Sequence, residues 1–191
     1  FSLYNDLMNH SVIIIGGGPA GLMAAEVLSQ HGAKVDVYDS MSSVGRKFLL
    51  AGKGGLNLTH SEAFEQFVSR YGKRRAQIEP LLKNFGPDEL RQWASGLGIE
   101  TFVGTSGRVF PVGMKASPLL RAWLKRLSDA GVMFHLRHKW LGWNVDKSLK
   151  LETPEGGKTV KADAVVLALG GGSWGRLGSD GAWVNLLDQA G

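Results

Sequence analysis

The spacing of apolar residues changes period several times along the chain, and each change marks an element. Ser11 to Ile15 (SVIII) is a short continuous apolar run, the pattern of a parallel strand buried on both faces. Leu22 to Gln30 carries Ala, Leu and Met in a helical stretch, and Gly32 suits the position just past it. In AKVDVYD, Val35 and Val37 alternate with Asp36 and Tyr38, which predicts a second strand ending at Asp39.

Residues 61 to 100 predict an all-helical insert. Ser61 is placed to cap its first helix, with Phe64, Phe67 and Val68 on one face. Ile78, Leu81, Leu82 and Phe85 mark a second helix, and Pro87 opens a third with Leu90, Trp93 and Ala94 inward. ETFVGTSGRVFPVGM predicts a hairpin that turns over Gly104 to Gly107. Ser117 as N-cap and Pro118 as first residue open a helix with Leu119, Leu120, Trp123, Leu124 and Leu127 on its apolar face, and Gly131 ends it. Trp123 is expected in the core. Residues 132 to 161 predict a small antiparallel meander whose first strand is VMFHLRHKWLGWNV. DAVVLALGGG then predicts a buried strand ending on glycines, a second edge facing a ligand. The sum, over residues 11–191, is an α/β Rossmann-like domain with a parallel sheet, a small antiparallel β-meander and a helical insert.

The turn after the first strand carries the chemistry. Gly16-Gly17-Gly18-Pro19-Ala20-Gly21 satisfies G-x-G-x-x-G. Gly16 allows the tight turn, Gly18 lets backbone approach a pyrophosphate, and Gly21 lets helix and strand pack closely. The free N–H groups and dipole of the helix N-terminus hold the anion. Asp39 follows 18 residues after Gly21, where an acid accepts hydrogen bonds from an adenosine ribose. Strand, glycine turn, helix, strand and acid in that order predict dinucleotide binding.

The stretch GRKFLLAGKGGLNLTH, residues 45 to 60, narrows the ligand. It shows no sustained helical period and has glycines at 45, 52, 54 and 55, so it is expected as a non-helical loop laid along a ligand. A dinucleotide as long as FAD needs such extra backbone donors, and Arg46, Lys47 and Lys53 are available to neutralise its pyrophosphate. The stretch is not a P-loop: Gly54 stands where Ser or Thr is needed, and Lys47 where the first glycine belongs.

Composition adds limits. The chain has 191 residues, enough for one domain with a core. Its 27 glycines cluster, which suits close backbone approach to a ligand. The absence of cysteine removes disulfides, thiolate metal sites and a Cys nucleophile, and suits a cytoplasmic setting. No apolar run has the length of a membrane span. FSLYNDLMNH lacks the basic-then-apolar pattern of a signal peptide and has no initiator Met, so the true start is expected elsewhere. The net charge of +5 favours anionic ligands. Arg70, Lys73, Arg74 and Arg75 read as a solvated helix face, because no aromatic platform interleaves with them, and nucleic acid is not the expected partner. Conventional catalytic groups are scarce. His135 and His138 have opposite parity on one predicted strand and are expected to face apart. His60 and Asp180 read as local hydrogen-bond partners, and no metal site is expected. A flavin would carry the electrons itself, so the scarcity is no objection.

Four segments together resemble the BaiN/YhiN-like flavoproteins of the two-dinucleotide-binding-domain superfamily: IIIGGGPAGLMAA, GRKFLLAGKGGLNLTH, GRVFPVGMKASPLLRAWLKRL and VVLALGGGSWGRLGSDGAW. The resemblance implies FAD contacts at Gly16, Gly18, Pro19, Ala20 and Gly21, at Asp39 with Ser40 beside it, and along Gly45, Arg46 and Lys47. It implies more at Asn57, Leu58 and Thr59, near Trp140, and at Ala168, Leu169, Gly170 and Gly171. Three residues depart from the family pattern: Asp39 for the commoner Glu, Trp140 for a small β-branched residue, and Leu169 for Thr. The implied activity is that of an FAD-dependent oxidoreductase acting on a small molecule, with NAD(P)H as reductant. The alternatives are a tRNA-modifying flavoprotein, as in a related branch of the superfamily, or a non-catalytic nucleotide-binding module. Family members continue beyond NLLDQAG with a substrate domain and a returning segment, so the chain alone is expected to hold FAD weakly and to turn over nothing. Substrate, catalytic residues and oligomeric state are not legible.

Overall fold

A computed structural model describes residues 8–178 and 180–189. Residues 1–7 of the opening stretch, and 190 and 191 at the end of the expected domain, lie outside the described residues. The elements begin with β1 (Ser11–Ile15), α1 (Pro19–Gln30), β2 (Lys34–Asp39), α2 (Arg46–Ala51), β3 (Thr59–His60), α3 (Phe64–Ser69), α4 (Arg75–Asn84) and α5 (Pro87–Gly96). They continue with β4 (Thr101–Val103), β5 (Arg108–Pro111), α6 (Ala116–Asp129), β6 (Met133–Leu136), β7 (Lys139–Trp143), β8 (Leu149–Thr153), β9 (Gly156–Val160), β10 (Ala164–Leu167) and α7 (Trp183–Asp188). The chain divides into two compact units: Phe1–Phe48 with Lys125–Gly191, and Leu49–Leu124.

In the first unit a four-stranded parallel sheet runs β10-β1-β2-β6. Its centre is β1, whose Val12 to Ile15 are each no more than 4% exposed, as an unbroken apolar run requires. Alternation splits this strand between two layers. Ile13 and Ile15 join Tyr38, Trp140, Leu149 and Leu151 in a core under the β7-β8-β9 meander. Ile14 points the other way, to Gly21 of α1. Each such side chain contributes about 1.5–3 kcal/mol by burial. At the start of the sheet Asp163 accepts both the backbone N–H and the hydroxyl of Ser11, each at 2.7 Å, which clasps β10 to β1. Those bonds hold the Asp163 carboxyl below its usual pKa. Arg126, near the end of α6, pairs with Glu26 of α1 at 2.8 Å.

Several expectations need correction. Met133–Leu136 does not open the meander. It pairs in parallel with Asp36 to Asp39, and the meander starts at Lys139. The chain turns between the two strands at Arg137, which has φ 58°. The Arg137 N–H bonds the carbonyl of Met41 and that of His138 the carbonyl of Asp39. A residue at positive φ resets strand alternation, so His135 and His138 do not face apart. Both rings meet Tyr38, with centroids 4.3 and 5.5 Å away, and lie 5.7 Å from each other. His135 Nε2 also contacts Asp36 at 2.5 Å. The strand β10 is not buried on both faces. It lies at the sheet edge, and Val165 is 36% exposed.

The stretch after Gly45 is not all loop either. RKFLLA forms the short helix α2, since Arg, Lys, Leu and Ala are good helix formers and the breakers come only at Gly52, Gly54 and Gly55.

In the second unit the strands β3-β5-β4 form an antiparallel sheet, and the hairpin turns where expected. Helix α3 is capped at Ala63; Ser61 instead donates its hydroxyl to the Gly107 carbonyl. Helix α6 starts at Ala116, so Ser117 and Pro118 sit within its first turn. Trp123 is 2% exposed and meets Trp93 edge-on at 4.7 Å, in the core as expected. Arg70 pairs with Glu62, and Arg75 with both Glu65 and Glu79, so half of the basic cluster is matched by carboxylates.

Candidate dinucleotide cleft

The glycine turn divides its residues between the fold and open space. Gly16 has φ 109°, and a Cβ there would collide with the Ala168 carbonyl oxygen. A Cβ on Gly21 would run into the Gly16 carbonyl oxygen. A Cβ on Gly17 would strike the Val44 side chain, and both of its backbone groups are taken: its N–H donates to Asp39 at 2.7 Å and its carbonyl accepts from Gly45 at 2.8 Å. Gly18 alone meets nothing within 4 Å. It is the N-cap of α1, with φ −79° and ψ 179°, and no side chain caps the helix. Pro19 has no N–H to offer, so those of Ala20 and Gly21 face outward from the first turn without intrahelical partners. The positive end of the helix dipole lies there too. This is the local geometry an anion needs.

Asp39 braces the turn. Its Oδ2 accepts the Gly17 N–H at 2.7 Å and its Oδ1 the Met41 N–H at 2.8 Å. Burial raises its pKa; the bonds from Met41 and Gly17 and the charge of Arg46 act in the opposite direction. A carboxylate has about four acceptor sites, so two remain for ribose hydroxyls. The departure from Glu now has a structural reading: the shorter side chain reaches back to the turn.

Three donors in the same cleft lack acceptors. Arg46 gives Nη1 to Ser42 and Ser43 at 3.2 and 3.4 Å, but its buried Nε has no partner. Trp140 is 5% exposed, and its indole N–H is unpaired. The indole N–H of Trp183 is unpaired as well. Native proteins pair almost all buried donors, so these three mark a place where a partner belongs. Lys47 reaches Ser173 at 3.4 Å.

These residues line a cleft of about 240 Å³. Of the residues expected at a cofactor, it brings together Gly16, Gly18, Pro19, Ala20, Asp39, Ser40, Gly45, Arg46, Lys47, Trp140, Ala168, Leu169 and Gly170. Gly21 lies against the turn and does not line it, nor does Gly171. Asn57, Leu58 and Thr59 belong to the second unit. There the Leu58 N–H and the Asn57 amide, turned so that its NH₂ faces carbonyls, donate to the Val109 carbonyl, and Thr59 pairs with Val109 in the sheet.

The sequence reading missed Gly17, Tyr38, Met41, His138 and Trp183. Gly17 is the free position of the fingerprint, so no rule pointed to it. Trp183 ends the last of the four family motifs, but nothing in its spacing marked it. His138 was assigned to the wrong face by strand parity. Its Nδ1 lies 2.7 Å from the Leu136 carbonyl, which can only accept, so the proton is on Nδ1. His60 acts locally, bonding the Ser106 carbonyl and the Glu62 N–H; Asp180 accepts from Ala182 and also lines the cleft. No three His, Asp or Glu among the described residues are grouped to hold a metal ion. No helix among them is long and apolar enough to cross a membrane.

The model of the HI0933-like protein Rossmann domain matches residues 10–191. The chain belongs to this family. The match bears out the resemblance read from the four motifs. Among curated relatives, a thiamine thiazole synthase of Pyrococcus horikoshii is 31% identical over 81 residues, 41% of this chain and 32% of that protein. A ribosomal RNA dihydrouridine synthase of Haemophilus influenzae is 46% identical over 50 residues, 26% of this chain and 12% of that protein. The matched stretch thus spans about a third of the first relative and less of the second. Among solved structures, a 3-ketosteroid-Δ4-(5α)-dehydrogenase from Rhodococcus jostii RHA1 superposes with a TM-score of 0.65 at 16% identity, over 86% of this chain and 47% of that one. That likeness shows the fold, the Rossmann-like α/β architecture of the HI0933-like family.

Proposed function

We propose that this HI0933-like chain is the FAD-binding part of an FAD-dependent oxidoreductase. The observation that carries the reading is the convergence on one cleft of an uncapped α1 terminus, open space over Gly18, a fixed Asp39 and the unpaired Nε of Arg46. The residues present fit the group. The α1 terminus, Arg46 and Lys47 would hold the pyrophosphate, Asp39 the ribose, and the backbone of Ala168 to Gly170 would border the cofactor. When bound, the flavin supplies hydride and single-electron transfer, while the chain binds, orients and keeps out water. NAD(P)H as reductant and a reducing, cytoplasmic setting complete the proposal; the lack of cysteine supports the latter.

Titration with FAD, followed by flavin fluorescence, tests it. A saturable change that Gly18→Val abolishes is expected. No saturable change, or one that Gly18→Val leaves intact, refutes it.

A second reading concerns the electron acceptor. The 46% identity to a ribosomal RNA dihydrouridine synthase supports a base in RNA as the group reduced. Gel-shift of this chain with ribosomal RNA fragments tests that reading, and no shift at low salt counts against it.

A further inference from the structure

The cleft ends against one of the chain's own side chains. Trp183, the first residue of α7, lines it and packs with Leu186 and Leu187 on the core of Tyr38 and Trp140. Tyr38 and Trp140 line the same cleft as Asp39, the ribose residue of the proposal above, so this apolar wall is open to the base of an adenosine. Trp183 leans on it without a hydrogen bond from its buried indole N–H, and the Trp140 N–H is equally unpaired. Buried donors without a partner are uncommon in native structures, and both lie at this end of the cleft. The helix behind the ring has only six residues. It follows a segment with glycines at 172, 175, 178 and 181, of which Gly178 and Gly181 have φ 79° and 73°. With Trp183 seated, the cleft measures about 240 Å³, below the roughly 300–1,000 Å³ usual for ligand pockets. Indole and purine are both flat aromatic rings of a fused five- and six-membered pair.

We propose that Trp183 is a built-in competitor for the purine end of the cleft: α7 holds the indole there, and a purine dinucleotide enters as α7 swings out on its glycine segment. The inference rests on the FAD reading above. Ligand affinity is then set by the seat of α7 as well as by the contacts the ligand makes.

FAD binding by the unaltered chain, Trp183→Ala and Val184→Ala tests the proposal, with affinity from flavin fluorescence and uptake rate from stopped flow. Val184 is 51% exposed on the same helix and serves as the control. Trp183→Ala is expected to bind FAD at least tenfold more tightly. Its uptake rate should rise linearly with FAD, whereas that of the unaltered chain should level off at the rate of α7 opening. Val184→Ala should match the unaltered chain. An equal gain in Val184→Ala assigns the effect to loss of the helix and overturns the role of the indole. Saturable binding with the same affinity in Trp183→Ala and the unaltered chain overturns the competitor and leaves the FAD reading standing. No saturable FAD binding by any of the three chains overturns both.

Discussion

Two glycines of one turn should fail in opposite ways. In Gly16→Ala the new Cβ enters a backbone at φ 109° and meets the Ala168 carbonyl oxygen. Strain of this kind costs about 1–3 kcal/mol. The obstacle is backbone, so residue 168 must retreat. That retreat loosens the bond from the Ala168 N–H to the Ile15 carbonyl, 2.8 Å long and the last link between β10 and β1. One such bond contributes about 1 kcal/mol. The total, about 2–4 kcal/mol, converts to a fall in Tm of roughly 4–16 °C for a chain of this size. Gly18→Ala has none of these problems. Its φ of −79° suits any residue, and the Cβ points into open space. The loss of a glycine N-cap costs less than about 1 kcal/mol. Gly18→Val starts from the same open Cβ position, and its side chain would stand where the α1 terminus meets an anion. Thermal melts by circular dichroism, paired with FAD titrations, separate the two cases. Gly16→Ala should lose stability, and Gly18→Val should lose at least tenfold in FAD affinity with little change in Tm. A Gly16→Ala variant that melts with the unaltered chain refutes the argument from Ala168. A Gly18→Val variant with unaltered affinity refutes the anion site.

Asp39→Ala should lower Tm and FAD affinity together, because the carboxylate holds Gly17 and Met41 as well as facing the cleft; each lost charged bond is worth about 1.5–3 kcal/mol. An unchanged Tm would refute its bracing role. Asp163 has a folded pKa below its unfolded value. Its contribution is therefore present above about pH 3.9 and is lost as pH falls through the lower folded value. Hydrogen exchange at β10 should accelerate in that acid window. Asp163→Asn should show the faster exchange already at neutral pH and no further acid step, and an acid step that persists in the variant would assign the effect elsewhere. Trp123→Ala should cost about 3–5 kcal/mol, the range for a buried aromatic, while folded variant keeps its FAD affinity; weakened affinity would make Trp123 a cofactor contact.

What could be read from the sequence, and what could not, divides along the range of the forces involved. β1, α1 and β2 were legible because each is written locally: an unbroken apolar run, a helical stretch from Leu22 closed before Gly32, which in the structure begins three residues earlier at Pro19, and an alternating strand. Most residues expected at the cleft were legible for a related reason. The fingerprint ties ligand contacts to a turn whose conformation only glycine permits, and Gly16 and Gly21 are held by backbone contacts that any side chain would break. Apart from α2, a local helix masked by the glycines that follow it, and the cap of α3, the failures depend on residues far apart in sequence. VMFHLRHKWLGWNV reads as one strand, since a single Arg at positive φ leaves no trace in hydrophobic alternation. The break becomes necessary only when Met41 and Asp39 offer carbonyls to residues 137 and 138. That one turn moves Met133–Leu136 into the parallel sheet, brings His135 and His138 together on Tyr38, and points Trp140 into the core beside the cleft. The burial of β10 was misjudged for the same reason. Its composition suits a central strand, but exposure follows position in the sheet, and β10 is an edge. Gly17 shows the limit within the fingerprint itself: its crowding comes from Val44 and Asp39, which the motif does not contain. The turn is thus specified twice, by its own glycines and by the segment after β2 that closes over it. A chain with the fingerprint but without that closing segment would keep the strand–turn–helix unit and the Asp39 brace, and lose the Val44 contact and the Gly45 bond that close over Gly17.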